Sequence, residues 1–146
     1  MKKFSVKFGF LFLLLFIFFC SATDQSGEKL NSEITPSEVK AYLDSGKVIL
    51  IIDVRTMSEY VGPLGHIPEA ILRPVQEIES WISEFDSLKN EEIVIVCKSG
   101  RRSGFTTNYL LDNGYSKVFN MIGGMLAWNE LGYPMITKLQ EDDEQK

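Results

Sequence analysis

The chain has 146 residues, 45% of them hydrophobic, with a formal net charge of −5, two cysteines and a single histidine. That length suits one domain with a real core and excludes two; the acidic balance disfavours nucleic acid, whose phosphate backbone it repels. Two cysteines exclude a disulfide-built fold, and one histidine excludes a zinc site made from His and Cys.

The chain opens with Lys2, Lys3 and Lys7, then an apolar run from Phe8 to Phe19 interrupted only by Gly9, then Ser21-Ala22-Thr23. Charged start, apolar middle and small residues make the layout of a secretory signal. The run is shorter than the twenty or so apolar residues a membrane span needs, so residues 1–22 read as a signal peptide and not as an uncleaved anchor. Its removal leaves twelve bases against twenty acids, a charge of −8. Cys20 at the boundary admits two processing routes. Cleavage after Ala22 places Cys20 and Ala22 at the two positions where a signal peptidase needs small residues. A lipoprotein route instead makes Cys20 the acylated first residue, with the polar stretch after it as tether. The bulky Phe18 and Phe19 speak against acylation; a lone cysteine at that boundary speaks for it, and lipidation is the expectation carried forward, with soluble periplasmic protein as the alternative. Both routes put the domain outside the cytoplasm, and an acyl chain would hold it at a membrane. Both also leave Cys97 without a disulfide partner, which asks for a chemical reason.

Residues 23–33 are polar and aperiodic and read as a linker; the domain spans residues 34–137, and residues 138–146 form an acidic tail. Thr35, Pro36 and Glu38 are an N-cap, a first-turn proline and a capping-box acid. Val39, Tyr42 and Leu43 form the apolar stripe of that helix, which Gly46 ends. Val48–Ile52 is a continuous aliphatic run, as in a strand buried on both faces, and leads into Asp53-Val54-Arg55. Ser58-Glu59-Tyr60 suggests a short helix, Gly62–Pro68 a turn-rich stretch and Ala70–Leu72 a short strand. Ile78, Trp81, Ile82 and Phe85 predict an amphipathic helix. Ile93–Val96 is a second buried strand and runs directly into Cys97. Phe105, Tyr109 and Leu110 begin another helix, closed by Asn113-Gly114; Val118-Phe119 is a third strand. Gly123-Gly124 opens a last helix with Met125, Leu126 and Trp128, stopped by Gly132 and Pro134. Strands alternating with helices predict an α/β fold, a three-layer sandwich in which a parallel sheet carries helices on both faces.

In such a sheet, ligands collect beyond the carboxyl ends of the strands. Cys97 sits at one, followed by Lys98-Ser99-Gly100-Arg101-Arg102-Ser103 and a helix. A short loop there can turn backbone N–H groups inward as an anion-binding nest, and the helix start adds partial positive charge. Gly100 allows a positive φ or a close backbone approach. Lys98, Arg101 and Arg102 add three cations to an otherwise acidic protein. Together these predict a lowered thiol pKa at Cys97, hence a thiolate nucleophile, and a cradle for the negative outer sulfur of a persulfide. A buried, inert cysteine is the plain alternative.

The loop Cys97–Ser103 resembles the C-x-x-G-x-R-S active loop of single-domain rhodaneses. Three other stretches resemble that family in order and spacing: Ile52-Asp53-Val54-Arg55 with Glu59-Tyr60, Gly65-His66-Ile67-Pro68-Glu69-Ala70, and Ile122-Gly123-Gly124-Met125-Leu126-Ala127-Trp128. The resemblance covers about Ile34 to Ile136. It implies sulfurtransfer: Cys97 as persulfide carrier, Lys98, Ser99, Gly100, Arg101 and Arg102 as the cradle, and Asp53 with Arg55 as a supporting pair. The partners implied are a small sulfur donor such as thiosulfate and a thiophilic acceptor; no cofactor and no metal are implied. Glu69 departs from the family, which usually has glycine there, and places a carboxylate in a turn expected near the pocket mouth.

Bland readings stand beside these. His66 fits a turn residue bonded to backbone better than one half of a Cys–His dyad. Arg55, paired with Asp53 or Glu59, could tie the sheet end together or contact substrate. A cysteine phosphatase of related architecture would need an arginine six residues after the cysteine, where Ser103 stands. A non-catalytic binding or sensor module of the same fold often lacks the cysteine or the basic loop, and both are present.

Overall fold

The computed structural model describes residues 32–137. The expected signal peptide, most of the linker, Cys20 and the acidic tail lie outside the described residues.

The first strand is a surprise of two residues. β1 (Glu33–Ile34) takes in Glu33, the last residue of the expected linker. So short an element has no pattern to read; it exists because the neighbouring strand offers it a ladder, with Glu33 opposite Asn120 and Ile34 opposite Met121. α1 (Pro36–Asp44) starts as expected, Thr35 and Glu38 exchanging both bonds of the capping box. β2 covers Leu50–Asp53 and not Val48–Ile52. Val48 is 95% exposed because pairing begins only where Leu50 meets Ile93. α2 (Met57–Tyr60) is a single turn with its own capping box, Thr56 with Glu59. β3 (Ile71–Leu72) follows the turn.

The helix expected across Ile78–Phe85 forms differently. One α-turn, α3 (Ile78–Trp81), lies between 3₁₀ segments at Val75–Glu77 and Ile82–Leu88. The apolar residues explain this: Val75, Ile78 and Trp81, then Ile82, Phe85 and Leu88, recur every three residues, which aligns them on a helix of three residues per turn.

β4 (Ile93–Val96), α4 (Arg101–Asp112), β5 (Val118–Met121) and α5 (Gly124–Glu130) complete the chain. Phe105 does not join the buried stripe of α4. It is 59% exposed, and the helix turns Ser103, Thr106, Thr107 and Leu110 inward. Small side chains near its start let that end of α4 lie close to the sheet, where Gly104 comes up against Asn120.

The sheet is parallel throughout, in the order β1-β5-β4-β2-β3. Alternation along β4 divides the core. Ile93, Ile95 and Cys97 pack with Trp81, Phe85, Leu110 and Tyr115 on one side. Val94 and Val96 pack with Val39, Met125 and Trp128 on the other. Helices thus cover both faces, as a fully apolar β4 requires. From β2 the chain leads outward to β3; from β4 it leads the other way, to β5. The crevice at that reversal lies between the ends of β2 and β4, and it is where Asp53–Arg55 and Cys97 meet.

Candidate active site

Cys97 leaves the end of β4 with its side chain 1% exposed. Gly100 adopts φ +93° as N-cap of α4, which brings its own N–H to 3.2 Å from Cys97 Sγ. Ser103, fully buried in the first turn of α4, sets its hydroxyl 3.3 Å from the same sulfur. The loop is fixed from behind by α5. Met125 N–H donates to the Cys97 carbonyl and Leu126 N–H to the Lys98 carbonyl, at 2.8 and 3.0 Å. Only glycine fits at 124, because a Cβ there would strike the Cys97 carbonyl oxygen and the Lys98 backbone, at a φ of +56°.

Burial pushes the Cys97 thiol up, but the Ser103 hydroxyl and the backbone N–H groups of Ser103, Ser99 and Gly100 outweigh it, so the pKa lies below the ordinary thiol value. The expected direction holds, and its main causes are this hydroxyl and these N–H groups, to which the Arg102 charge adds. Lys98 and Arg101 are exposed and, among the described residues, form no ion pair. Arg102 turns out of the cradle onto α2, its Nη1 and Nη2 donating to the two oxygens of Glu59 at 2.7 and 2.6 Å. Arg102 therefore fastens α4 to α2, and Glu59, proposed from sequence as a partner of Arg55, belongs to Arg102.

That fork, helped by Thr56 and opposed by burial, holds the Glu59 pKa down at about 2. A carboxylate depressed in the fold stabilises it above the unfolded pKa and ceases to do so as pH falls through the folded value. Glu59→Gln is expected to lower Tm by about 3 °C at neutral pH, a modest figure for a part-exposed pair. The gap to the unmodified protein should close between about pH 5 and pH 2, read by thermal melts across that range; a gap that widened with acid would contradict the pairing.

Asp53 and Arg55 lie beside the loop and are fully buried. Arg55 Nε donates to both Asp53 carboxylate oxygens at 2.9 Å, and its Nη2 donates to Asp53 Oδ2 and to the Gly65 carbonyl at 2.6 Å. The pair ties β2 to the 62–65 turn, while Arg55 Nη1 has no hydrogen-bond partner. A cleft of about 310 Å³ adjoins it, lined by Arg55, Ser58, Glu59, Pro63, Leu64 and Lys98.

Residues 35–131 match the rhodanese-like domain family. A sulfurtransferase from Allochromatium vinosum is 34% identical over 105 residues, which is 72% of this chain and 94% of that protein. Thiosulfate sulfurtransferase 18 of Arabidopsis thaliana is 33% identical over 115 residues, 72% of this chain and 83% of that one. The crystal structure of a rhodanese-like domain protein from Staphylococcus aureus, 38% identical, aligns with a TM-score of 0.62 over 73% of this chain and 99% of its own. The chain belongs to the rhodanese-like family.

This rhodanese-like domain makes a tight turn at Glu69, where the resemblance expects glycine. The Glu69 backbone takes φ +69°, the conformation a glycine adopts freely, and Ala70 N–H closes onto Ile67 O at 3.1 Å. Pro68 followed by a positive φ is the pattern of a type II turn, at a strain of about 1–2 kcal/mol for a residue with a Cβ. The carboxylate is not at the site mouth. Glu69 lines a separate hollow of about 410 Å³ with Lys40, Lys47 and Trp128, which holds no residue of the Cys97 loop. The larger size of that hollow does not make it the chemical centre: Lys40 is paired with Asp44 and Lys47 with Glu92.

His66 stacks on Tyr60 at 3.6 Å, donates Nδ1–H to the Tyr60 carbonyl at 3.2 Å and bridges to Ile136 through its backbone. It serves the turn, as its sequence setting suggests. Two residues of the site escaped the sequence reading of roles. Ser103 was only the last letter of the loop motif, and Asn120 was a polar residue at the end of an apolar strand. Its Oδ1 accepts from Ser103 at 2.6 Å. Nothing local in the sequence signals a contact between strand β5 and Ser103; a lone polar residue in an otherwise apolar strand was the available hint.

Proposed function

We propose that the domain is a sulfurtransferase in which Cys97 carries sulfane sulfur as a persulfide, taking it from thiosulfate or a similar donor and delivering it to a thiophilic acceptor. The observation that carries this is the Cys97 sulfur at the start of α4, met by Gly100 N–H and Ser103 O–H donors that favour its anion. The thiolate attacks the outer sulfur of thiosulfate; the bond to the sulfonate sulfur breaks, and sulfite leaves with its electron pair. An acceptor then attacks the outer sulfur of Cys97–S–S⁻ and restores the thiolate, so that one transfer becomes two easier steps. Lys98 and Arg101, exposed and unpaired among the described residues, draw the donor anion in. Ser99 and Gly100 supply backbone N–H groups to the cradle, and Arg102 acts on loop shape through Glu59. The similarity to proteins named sulfurtransferase supports the same reading. We further propose that the domain works outside the cytoplasm, on the strength of the signal-like residues 1–22, and that an acylated Cys20 holds it at a membrane.

Thiosulfate loading tests the chemistry. Intact mass after incubation with thiosulfate is expected to rise by one sulfur, removable by cyanide. Lys98→Gln should raise the thiosulfate concentration for half-loading about three- to tenfold, an effect that fades with salt. No mass change in the unmodified protein would sink the persulfide and favour a non-catalytic module.

A further inference from the structure

We infer that Asn120 is a positioning residue for Cys97, acting through the one hydrogen of the Ser103 hydroxyl. Ser103 Oγ lies 2.6 Å from Asn120 Oδ1 and 3.3 Å from Cys97 Sγ, and all of Ser103 is buried. A serine hydroxyl has one hydrogen to donate, so the two acceptors compete for it. The residue that holds the other end of that competition is fixed in place: Asn120 pairs with Ile95 on one side and Glu33 on the other, and its backbone N–H donates to the Ser32 carbonyl at 2.7 Å. The neighbour of Ser103 is Gly104, where a Cβ would stand 3.3 Å from Asn120 Nδ2. Lacking one, the helix leaves the amide room to turn.

An amide is the side chain that suits both directions of that hydrogen. With Oδ1 toward Ser103 it accepts the hydrogen; turned over, it donates Nδ2–H to Ser103 Oγ and leaves the hydrogen to sulfur. On the persulfide reading above, this follows the charge on Sγ. In Cys97–S–S⁻ the inner sulfur is uncharged and accepts poorly, so the hydrogen rests on Asn120. When an acceptor attacks the outer sulfur, the S–S bond breaks and its electron pair passes to Sγ. The hydrogen then swings to the new thiolate, and the amide turns behind it. No proton is gained or lost. A thiolate held this way is a better leaving group.

Charged side chains also stand on the elements around Cys97: Lys98 on its loop, Arg101 and Arg102 on α4, Glu59 on α2, and the Asp53–Arg55 pair at the end of β2; of these Arg102 interacts electrostatically with the sulfur. Neither β5 nor the first turn of α5 brings a charged side chain. The test therefore keeps these constant and asks only what Ser103→Ala does in three backgrounds. The pH dependence of iodoacetamide alkylation of the full chain, followed on the tryptic peptide Asn90–Lys98, gives the apparent pKa of Cys97. With Asn120 present, Ser103→Ala is expected to raise it by about half a unit to one unit, the scale of one donated hydrogen bond. With Asn120→Leu, which leaves sulfur as the sole acceptor, the rise should be larger. With Asn120→Asp, whose carboxylate keeps the hydrogen, it should vanish. Each background is its own reference, so the through-space effect of the introduced carboxylate cancels. Equal shifts in all three backgrounds would overturn the inference; should the aspartate variant fail to fold, equal shifts with asparagine and leucine suffice to do so. Alkylation involves no sulfur transfer, so this result stands apart from thiosulfate loading.

Discussion

Cys97→Ser is expected to lower thiosulfate-to-cyanide transfer by more than about a thousandfold, the scale on which loss of a covalent nucleophile reads. Cys97 is the one cysteine among the described residues, so no neighbouring thiol can take over the sulfur. The fold should survive. The Cys97 carbonyl, not its side chain, receives Met125 N–H, and a serine oxygen can accept the same Gly100 and Ser103 donors as the sulfur did. A shift in Tm of less than about 3 °C is expected, since the change removes little buried volume and keeps an acceptor for both donors. Transfer assays and thermal melts on the two proteins check both halves. Retained activity with an unchanged melt would remove Cys97 from the mechanism.

The second large effect is on stability. Asp53→Asn leaves the Arg55 guanidinium fully buried without its counter-ion. Arg55 Nη1 already has no hydrogen-bond partner there, so no other group stands ready to compensate. Breaking a buried pair from one side costs about 3–5 kcal/mol, enough to lower Tm by more than about 10 °C in a domain of this size. The asparagine can still accept the Arg55 backbone N–H that Asp53 Oδ1 now receives at 3.0 Å, which places the loss on the charge and not on the turn. Removing both charges, as Asp53→Leu with Arg55→Met, should cost less than the single change, because no uncompensated charge remains. Denaturant unfolding of the two variants beside the unmodified protein decides; a double variant less stable than Asp53→Asn would mean that the hydrogen bonds of the pair to the backbone, and not its charge balance, dominate.

Much of this protein was legible before its structure, and for local reasons. The capping box at Thr35 and Glu38, the aliphatic run of β4 and the glycines at 100, 123 and 124 are properties of consecutive residues, and short-range sterics act on them directly. The parallel sheet with helices on both faces followed from the alternation of such elements, and the cysteine at a strand end followed from where β4 stopped. What needed the tertiary structure were the choices between partners. Arg55 could take Asp53 or Glu59; it takes Asp53, two residues away on the same strand end, and Glu59 goes to Arg102. Cations next to the cysteine in sequence suggested what lowers its pKa, yet Lys98 and Arg101 are exposed to solvent, and a buried hydroxyl six residues on and nearby backbone N–H groups act in their place. The two-residue strand β1 and the contact of Asn120 with Ser103 are further cases. Both join residues far apart in the chain, and such pairings are decided by packing across the sheet, which no local pattern of residues encodes.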